Sequence, residues 1–376
     1  MTPHVLELDL PARTAADTPD PLIGRLRRLA HASLPRMYDA GANRCVFTIR
    51  RENGMQVPAG ISDRYTAIAI IGVAADGLDR WTALPFEPAR LADVLVDNLP
   101  ACENLGDAAL VAWAAGAVGA DASRAWRHVE RLFNRRSAHP TVEVAWALAA
   151  AAIDGRHVTA SVRRALLASV MQAWNAHAGV FGHTAGGGSA RSHVACYADQ
   201  VYPIFALSRF AARHGDRAAL DAALRCARRI CALQGAAGQW WWHYDHRTGD
   251  VVEGYPVYAI HQDAMGPMAL RAAADASGES FDAYLRRGLQ WLEAAPELQG
   301  GSLIDEPAQM LWRKVGRREP MKATRYVQAA MTRLHPSLRA PGLNVIFPAA
   351  AIDFEDRPYH WGWFLYAWAP VQDVQR

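Results

Sequence analysis

The stretch DRYTAIAIIGVAADG (Asp63 to Gly77) starts with an acid, continues through an almost wholly apolar body and ends at a glycine. A helix that is apolar nearly all round belongs inside a protein, whereas an amphipathic helix belongs to an outer layer. Glycine directly after the last apolar residues is a common helix stop. The stretch therefore predicts a short, fully buried helix.

Five further stretches share this design and alternate with amphipathic segments such as ASVRRALLASVMQAW and DRAALDAALRCARRICALQ. The predicted inner helices begin at Asp63, Asp107, Glu143, Asp199, Asp263 and Glu306. These starts are separated by roughly 36 to 64 residues, which is the range of a helical repeat array. We therefore predict an all-α (α/α)6 toroid, in which RPYHWGWFLYAW (Arg357 to Trp368) could close the ring.

The same pattern predicts a single domain over residues 21–376, preceded by a flexible N-terminal arm over residues 1–20. Short β-hairpins in the loops at one end are expected at CVFTIRR (Cys45 to Arg51) and QWWWHYD (Gln239 to Asp245). The glycine-rich stretch TAGGGSAR (Thr184 to Arg191) lacks the lysine of a phosphate-binding loop. We interpret it as a flexible lid over the ring.

Composition excludes several classes of protein. The chain has 376 residues, of which 51% are hydrophobic and 20% charged, and this balance argues against disorder. With 40 basic and 37 acidic residues, there is no electrostatic case for nucleic-acid binding. The five cysteines form no CxxC pair, the N-terminus has no apolar leader, and the apolar runs are too short for a membrane span. We expect a cytoplasmic protein without a membrane span or a nucleic-acid partner.

The acids at the starts of the inner helices have an ordinary explanation, since Asp and Glu cap helices and favour the first turn. Capping does not explain the polar and aromatic residues that surround them. These neighbours are Arg64 and Tyr65 after Asp63, Tyr197, Gln200 and Tyr202 around Asp199, and Tyr258, His261 and Gln262 before Asp263. In a ring, the inner-helix N-termini converge, so these groups would line one funnel, which is the default location of an active site.

Two inner helices carry a proline four residues after the acid, Pro203 after Asp199 and Pro267 after Asp263. Proline is tolerated in the first helical turn because its missing N–H is not needed there. We therefore expect both acids at or just before the helix N-cap, with their side chains at the mouth of the ring.

Three consecutive tryptophans stand in GQWWWHYDHRTGDVVEGYPVYAIHQDAMGPMAL (Gly238 to Leu270). In an extended segment alternate side chains face opposite sides, so Trp240 and Trp242 are expected on one face and Trp241 with His243 on the other. MQAWNAHAGVFGH (Met171 to His183) looks like a weaker copy, with Gly179-Val-Phe181 in the place of Gly238-Gln-Trp240.

Alternating outer and inner helices with a Gly-x-aromatic turn resemble the (α/α) toroids. One such group is the six-hairpin glycosidase-like superfamily, which includes the N-acylglucosamine 2-epimerase type. The segment from Gly238 to Leu270 is similar to the epimerase arrangement, because it has a Gly-x-Trp element, an Asp followed by a TGD turn, and a polar helix start. In such sites aromatic rings stack on pyranoses, and carboxylates and imidazoles bond hydroxyls or move protons.

The second group is the terpenoid cyclase and prenyltransferase superfamily. QGAAGQW (Gln234 to Trp240) fits its Q-x3-G-x-W repeat core, but Arg229 stands where an aromatic residue is expected. The Asp-x-Asp-Asp and Asp-Asp-x-x-Asp motifs and a pattern of zinc ligands are absent from the sequence. This match supports the toroid more than it supports terpene substrates.

The leading hypothesis is a carbohydrate-active enzyme, a glycoside hydrolase, sugar epimerase or lyase, that uses acid–base chemistry without a metal or another cofactor. Its catalytic candidates are Asp263, His261 and Asp199. Hydrolysis needs two carboxylates about 5 to 10 Å apart, for which Asp199 and Asp263 are the candidates, whereas epimerisation or elimination would use His261 and a tyrosine. Candidate substrate-binding residues are Asp63, Arg64, Tyr65, Gln200, Tyr202, Trp241, His243, Tyr258, Gln262, His360 and Trp361.

Two alternatives stay open. A terpenoid-type cyclase would bury an apolar substrate against Trp and Tyr side chains, with Asp263 or Asp199 as the proton donor. A non-catalytic toroid would bind a glycan or a peptide. A funnel with several carboxylates and exposed rings would favour a sugar, and an apolar funnel with a lone acid would favour the cyclase. The sequence does not indicate the substrate or the oligomeric state.

Overall fold

The structure is a computed structural model that describes residues 20–81, 83–154, 156–184 and 191–370. Within these residues the α-helices are, in chain order, α1 (Pro21–Ser33), α2 (Asp63–Asp76), α3 (Pro88–Asn98), α4 (Leu105–Ala117), α5 (Ser123–Arg135), α6 (Thr141–Ile153), α7 (Ala160–Gln172), α8 (Ala198–His214), α9 (Arg217–Ala232), α10 (Gly266–Ser277), α11 (Asp282–Glu293), α12 (Ala323–Leu334), α13 (Leu343–Ile346) and α14 (Pro358–Ala367).

The strands are short and lie in the loops. They are β1 (Tyr38–Asp39), β2 (Arg44–Glu52), β3 (Met55–Ile61), β4 (Trp174–Asn175), β5 (Val180–Phe181), β6 (Val194–Cys196), β7 (His243–Asp245), β8 (Val251–Glu253), β9 (Val257–Tyr258), β10 (Ile304–Asp305), β11 (Met310–Leu311), β12 (Lys314–Arg317), β13 (Ala349–Asp353) and β14 (Glu355–Asp356). They pair antiparallel in small sheets, of which β1-β2-β14 with β3, β6-β7-β8 and β13-β12-β9 are the larger ones. The hairpins predicted at β2 and β7 are confirmed.

Six helices form a closed inner ring. Helices α2, α4, α6, α8, α10 and α14 each pack against the next, and α14 packs back against α2. They are apolar nearly all round, and the residues from Ala108 to Ala115 on α4, for example, are all buried. Helices α1, α3, α5, α7, α9 and α11 cover the ring from outside with one apolar face each. The predicted (α/α)6 toroid is confirmed.

The last inner helix is not the one predicted at Glu306. The segment around Glu306 forms the hairpin β10-β11, with Glu306 in its turn and a left-handed Gln309 (φ 55°) closing it. Pro307 follows Glu306, and the two short strands pair Asp305 with Met310 instead of continuing into a helix. The C-terminal segment proposed to close the ring supplies the sixth inner helix, α14.

Two glycines allow the ring to close. A Cβ atom on Gly72 of α2 would lie 2.3 Å from the carbonyl oxygen of Gly362 on α14, and one on Gly362 would lie 2.4 Å from the carbonyl oxygen of Ile68. These distances are shorter than van der Waals contact, so only glycine lets the two backbones approach this closely. The pair explains why α14 takes the closing position.

Helix ends follow the sequence pattern. Gly215 after α8 and Gly278 after α10 adopt left-handed conformations (φ 69° and 78°), as expected for glycine helix stops. One turn of π-helix, His261–Met265, precedes α10. Trp240 and Trp242 do not share an environment, because β7 starts only at His243: Trp240 is fully buried, whereas Trp242 is half-buried and stacks on His243. The predicted alternation of the three tryptophans is therefore wrong.

Two predicted mobile segments fall mainly on residues that the structure does not describe. The arm predicted over residues 1–20 lies outside the described residues except for Asp20, and the predicted lid lies outside them except for Thr184 and Arg191. Among the described helices, none has both the length and the apolar character needed to cross a membrane.

Candidate active site

A chain of side-chain contacts joins the N-terminal turns of four inner helices, α14, α2, α4 and α6. Arg64 of α2 forms an ion pair with Asp107 of α4, and Asn104, the N-cap of α4, donates to Oε1 of Glu143 on α6 at 2.9 Å. On the other side, the ring of Tyr359 on α14 stacks on that of Tyr65 on α2, with centroids 4.6 Å apart. The N-termini therefore converge, and their polar groups share one end of the toroid as predicted.

Three partly exposed carboxylates lie next to one another on this end. Asp63, Asp107 and Glu143 stand in the first turns of α2, α4 and α6. Arg44 donates to Asp63 at 2.9 Å, and the guanidinium of Arg64 lies over the ring of Trp146, 5.4 Å from its centroid. We call these three carboxylates the acidic arc.

A cavity of about 480 Å³ opens beside the acidic arc. Its lining includes Arg44, Asp63, Asn98, Cys102 and Asp107. This volume is in the range of small-molecule sites.

Asp199 is fully buried and holds a histidine that sequence analysis did not single out. Its carboxylate lies 3.2 Å from Nδ1 of His183 through both oxygens, and it accepts a hydrogen bond from the Cys196 N–H at 2.7 Å. The His183 side chain is 56% exposed. The hydrogen bond and charge of Asp199, together with the charge of Glu143, raise the pKa of His183.

The backbone ties His183 to the start of α6. The N–H of Thr141 donates to the His183 carbonyl oxygen at 2.8 Å, and the Thr141 hydroxyl donates to the Gly182 carbonyl oxygen at 2.6 Å. Glu143 is two residues further along the same helix. An exposed imidazole, backed by a buried carboxylate, is therefore placed beside the acidic arc. The repeated Gly-x-aromatic turn was the available sequence signal, because His183 directly follows Gly179-Val-Phe181-Gly.

Asp263 makes a similar pair that is closed to solvent. Both of its oxygens lie near Nε2 of His360, at 2.8 and 3.0 Å, and both side chains are buried. The neighbouring His261 is buried between the rings of Tyr197 and Tyr258, with centroids 4.4 and 4.9 Å away. Burial lowers the pKa of His261 to about 3, so its imidazole is neutral near pH 7.

Two predicted substrate-binding glutamines have a structural task. Gln200 accepts from the Phe181 N–H at 2.8 Å and donates to the Phe181 carbonyl oxygen at 2.9 Å. Gln262 accepts from the Trp240 N–H at 3.3 Å and donates to the Tyr258 carbonyl oxygen at 3.1 Å. Both glutamines are fully buried. Each accepts a hydrogen bond from the aromatic residue of a Gly-x-aromatic turn, which supports the interpretation of Met171 to His183 as a copy of the tryptophan segment.

Other predicted residues divide between core and rim. Tyr202 and Trp361 are buried; the Tyr202 ring packs edge-on against Trp146 at 5.0 Å, and the Trp361 indole N–H donates to Asp356 at 3.1 Å. His243 is buried, which lowers its pKa to about 3. Trp241 is half-buried and packs edge-on against the Tyr255 ring.

Tyr258 reaches the rim, where charged groups from β12 and β14 surround it. The Arg313 guanidinium and the Lys314 ammonium lie 5.3 and 5.4 Å from the centroid of the Tyr258 ring. Arg313 and Arg357 both donate to Oε2 of Glu355, at 3.1 and 2.6 Å. Arg357 also donates to the Tyr65 hydroxyl at 3.1 Å, which joins this cluster to α2, the helix that carries Asp63.

Among the described residues, no group of three or more His, Cys, Asp or Glu side chains is arranged to hold a metal ion. The arrangement offers acid–base groups, hydrogen-bonding carboxylates and flat aromatic faces.

No protein-family model and no curated protein matches this sequence. The fold does match solved structures. An unsaturated glucuronyl hydrolase specific for heparin is similar with a TM-score of 0.58 and 11% identity, covering 93% of this chain and 96% of that one. An unsaturated glucuronyl hydrolase from Bacillus sp. GL1, responsible for the degradation of glycosaminoglycan, has a TM-score of 0.52 and 15% identity, covering 93% and 94%.

A third structure, a UGL variant with the oligosaccharide dGlcA-Glc-Rha-Glc, has a TM-score of 0.53 and 15% identity over 93% of this chain and 94% of that one. At these identities the likeness concerns the fold, and it extends over nearly the whole of each chain. The chain therefore has the (α/α)6 toroid fold of the six-hairpin glycosidase-like structures.

Proposed function

We propose that this protein is a carbohydrate-active enzyme whose acid–base groups stand at the N-terminal ends of the inner helices. The observation that carries the proposal is the placement of His183, exposed and backed by the buried Asp199, beside the partly exposed carboxylate of Glu143. A catalytic acid or base needs access to substrate and a neighbour that tunes its pKa. His183 has both.

In glycoside hydrolysis, one group protonates the leaving oxygen and a second carboxylate activates water or attacks the anomeric carbon. Protonated His183 is the proposed donor, since Asp199 stabilises its imidazolium form. Glu143, oriented by the amide of Asn104, is the proposed carboxylate. In an epimerase or a lyase, neutral His183 would instead remove a proton from a carbon of the sugar.

Asp199 therefore enters the proposal as the residue that positions and charges His183. Asp263 and His261, the other two catalytic candidates, are buried and would act through their neighbours. Asp263 orients His360 through a hydrogen bond, and the His261 ring packs against the ring of Tyr258. Tyr258 and Tyr359 provide half-buried aromatic faces on which a pyranose could stack.

The rim supports a sugar more than an isoprenoid. Three adjacent, partly exposed carboxylates suit the hydroxyl groups of a sugar, whereas a terpenoid cyclase was expected to have a lone acid in an apolar funnel. Of these acids, Glu143 acts on His183, and an exposed histidine with a raised pKa favours catalysis over simple glycan or peptide binding. The proposed substrate is a small sugar or an oligosaccharide.

The test is a screen of aryl glycosides and oligosaccharides, followed by assays of His183→Gln and Glu143→Gln on any substrate that is turned over. Both variants are expected to lose activity. His177→Gln and Glu103→Gln are matched controls, because these exposed residues lie near the same elements and the substitutions change the same groups. Full activity in both His183→Gln and Glu143→Gln would show that the proposed site is wrong.

A further inference from the structure

Two arginines on the rim lack an acidic partner. Arg191 and Arg325 both lie near one exposed ring, that of Tyr326, with guanidinium carbons 5.2 and 4.8 Å from its centroid. No carboxylate among the described residues lies within 4.0 Å of either guanidinium. By contrast, Arg64 and Arg357, also on the rim, each form an ion pair.

Holding these two positive charges together costs free energy. Burial and the charge of Arg325 both lower the pKa of Arg191. The Nε atoms of both arginines are buried and have no hydrogen-bond partner. Both side chains are half-buried, and Arg325 donates one hydrogen bond, to the Tyr326 hydroxyl at 3.0 Å. A guanidinium carries five N–H donors, so the pair has donors left for a ligand.

The pair borders the proposed active site on two sides. The positive charge of Arg191 lowers the pKa of His183 and so works against the effect of Asp199. The guanidinium of Arg325 lies 5.5 Å from the centroid of the half-buried Trp242 ring, and this ring packs edge-on against Tyr258 at 5.8 Å. Arg191 is therefore close enough to His183 for its charge to act there, and Arg325 lies beside an aromatic ring that contacts Tyr258.

Arg325 comes from an element outside the ring. The buried residues of helix α12 are all small, namely Thr324, Ala329 and Thr332. Two residues in the left-handed conformation, Met321 and Lys322 (φ 46° and 57°), directly precede the helix. The toroid itself does not need this helix for closure. Its placement over Trp242 brings a positive charge to the rim.

We propose that Arg191 and Arg325 form a subsite for an oxyanion substituent of the sugar, a carboxylate, sulfate or phosphate; the sugar part rests on the function proposed above. Guanidinium groups bind all three oxyanions through paired, charge-assisted hydrogen bonds. An oxyanion between the two arginines would supply the missing acceptors and offset their mutual repulsion. The face of Trp242 lies next to this position and could contact the attached sugar ring.

The experiment compares four ligands by calorimetry: methyl glucoside, its 6-sulfate, its 6-phosphate and methyl glucuronoside. We expect the anionic sugars to bind at least about tenfold more tightly than the neutral one, which corresponds to one hydrogen bond to a charged group. The strongest binder identifies the oxyanion. Equal affinity for the neutral and all three anionic sugars would overturn the proposal.

Arg191→Gln and Arg325→Gln, singly and together, are expected to remove this preference while leaving the affinity for methyl glucoside unchanged. Arg333→Gln is the matched control, because Arg333 is an exposed arginine of the same helix as Arg325. Arg325→Lys should keep part of the preference, since it keeps the charge but not the planar fork. A preference that survives in the double variant would also overturn the proposal.

Inorganic sulfate and phosphate test the arginine pair without any sugar, with the fluorescence of Trp242 and its neighbours as the signal. Binding to the natural protein that is lost in the double variant supports the oxyanion subsite, even if no sugar binds and the proposed function fails. Equal binding to the natural protein and the double variant overturns the subsite, whatever the sugar assays show.

Discussion

Two neighbouring units of the toroid, α7 with α8 and α9 with α10, are built on the same plan. In each, a buried glutamine of the inner helix holds a Gly-x-aromatic turn, Gln200 at Phe181 and Gln262 at Trp240. In each, an acid next to that glutamine binds a histidine. The units differ in where the histidine comes from and in whether solvent reaches it.

Asp199 pairs with His183 from the turn of its own unit, and this side chain is 56% exposed. Asp263 pairs with His360 from α14, the neighbouring inner helix, and this side chain is 4% exposed. The same acid–histidine pair thus opens to the funnel in one unit and joins two inner helices in the other. We infer that the first unit determines the chemistry and the second the stability of the ring, and the following predictions test this division.

The largest effect is expected for His183→Gln, which removes the proposed proton donor from the exposed pair. Loss of a general acid or base lowers the rate by about 10²- to 10⁴-fold. Initial rates on the identified substrate measure the loss. The free energy of unfolding should fall less than in His360→Gln, because solvent reaches the His183 side of the pair and Asp199 keeps the hydrogen bond from the Cys196 N–H. Activity within about twofold of the natural protein would contradict the assignment, with His177→Gln as the control.

The second effect is expected for His360→Gln, which leaves the Asp263 carboxylate buried without its partner. Leaving a buried carboxylate without its hydrogen-bond partner costs about 1 to 3 kcal/mol, and more when the carboxylate is charged. Urea denaturation should show this loss as a lower free energy of unfolding, and the loss in His183→Gln should be smaller. Replacing the exposed His335 by Gln is the control. If His360→Gln and this control have the same free energy of unfolding, the Asp263–His360 pair does not stabilise the ring and the proposed division between the two units is wrong.

The two glutamines should show smaller and similar effects, because both units use them in the same way. Gln200→Leu and Gln262→Leu each leave buried backbone groups unpaired, at a cost of about 1 to 3 kcal/mol. We expect the larger loss for Gln200, whose hydrogen bonds of 2.8 and 2.9 Å are shorter than those of Gln262 at 3.3 and 3.1 Å. Thermal unfolding of both variants checks this. If only one variant is less stable than the natural protein, the two glutamines do not have the same structural role.

The smallest effect is a shift in the pH profile. Asp199 and Glu143 raise the pKa of His183 above its usual value of 6.5, so a reaction that needs its protonated form should keep its rate until the pH rises past 6.5. In Asp199→Asn the carboxylate charge is gone, and the fall in kcat/KM should move to lower pH. A profile that does not move would show that Asp199 does not charge His183. Glu103→Gln, which removes a distant exposed carboxylate, should leave the profile unchanged.

Much of the fold was predictable because it depends on local patterns. Inner helices α2, α4, α6, α8 and α10 were found from apolar bodies, acidic starts and glycine stops. The sixth was assigned to Glu306, where a similar acid begins a hairpin instead. Helix α14 closes the ring through the close contact between Gly72 and Gly362. These two glycines are far apart in the chain, so the periodicity of a single segment does not reveal their contact.

The site was predictable only in outline. The sequence indicated that acids, tyrosines and a histidine would meet at one end of the ring, but it placed the main chemistry at His261 and Asp263, which the fold buries. His183 was not distinguished, because the role we propose for it depends on its contact with Asp199 of the next helix. Arg191 and Arg325 lie near the same tyrosine ring but are far apart in sequence, so no local sequence pattern predicts that they are neighbours.

By itself, then, the sequence determined the helices, their order in two layers and the end of the toroid at which polar groups gather. Helix periodicity, capping and glycine stops act within a few residues, so one chain segment is enough to show them. Only the tertiary structure decided which acid–histidine pair is open, which is closed, and which arginines lack a partner. Exposure and charge pairing depend on neighbours from distant segments, and these are defined only when the ring closes.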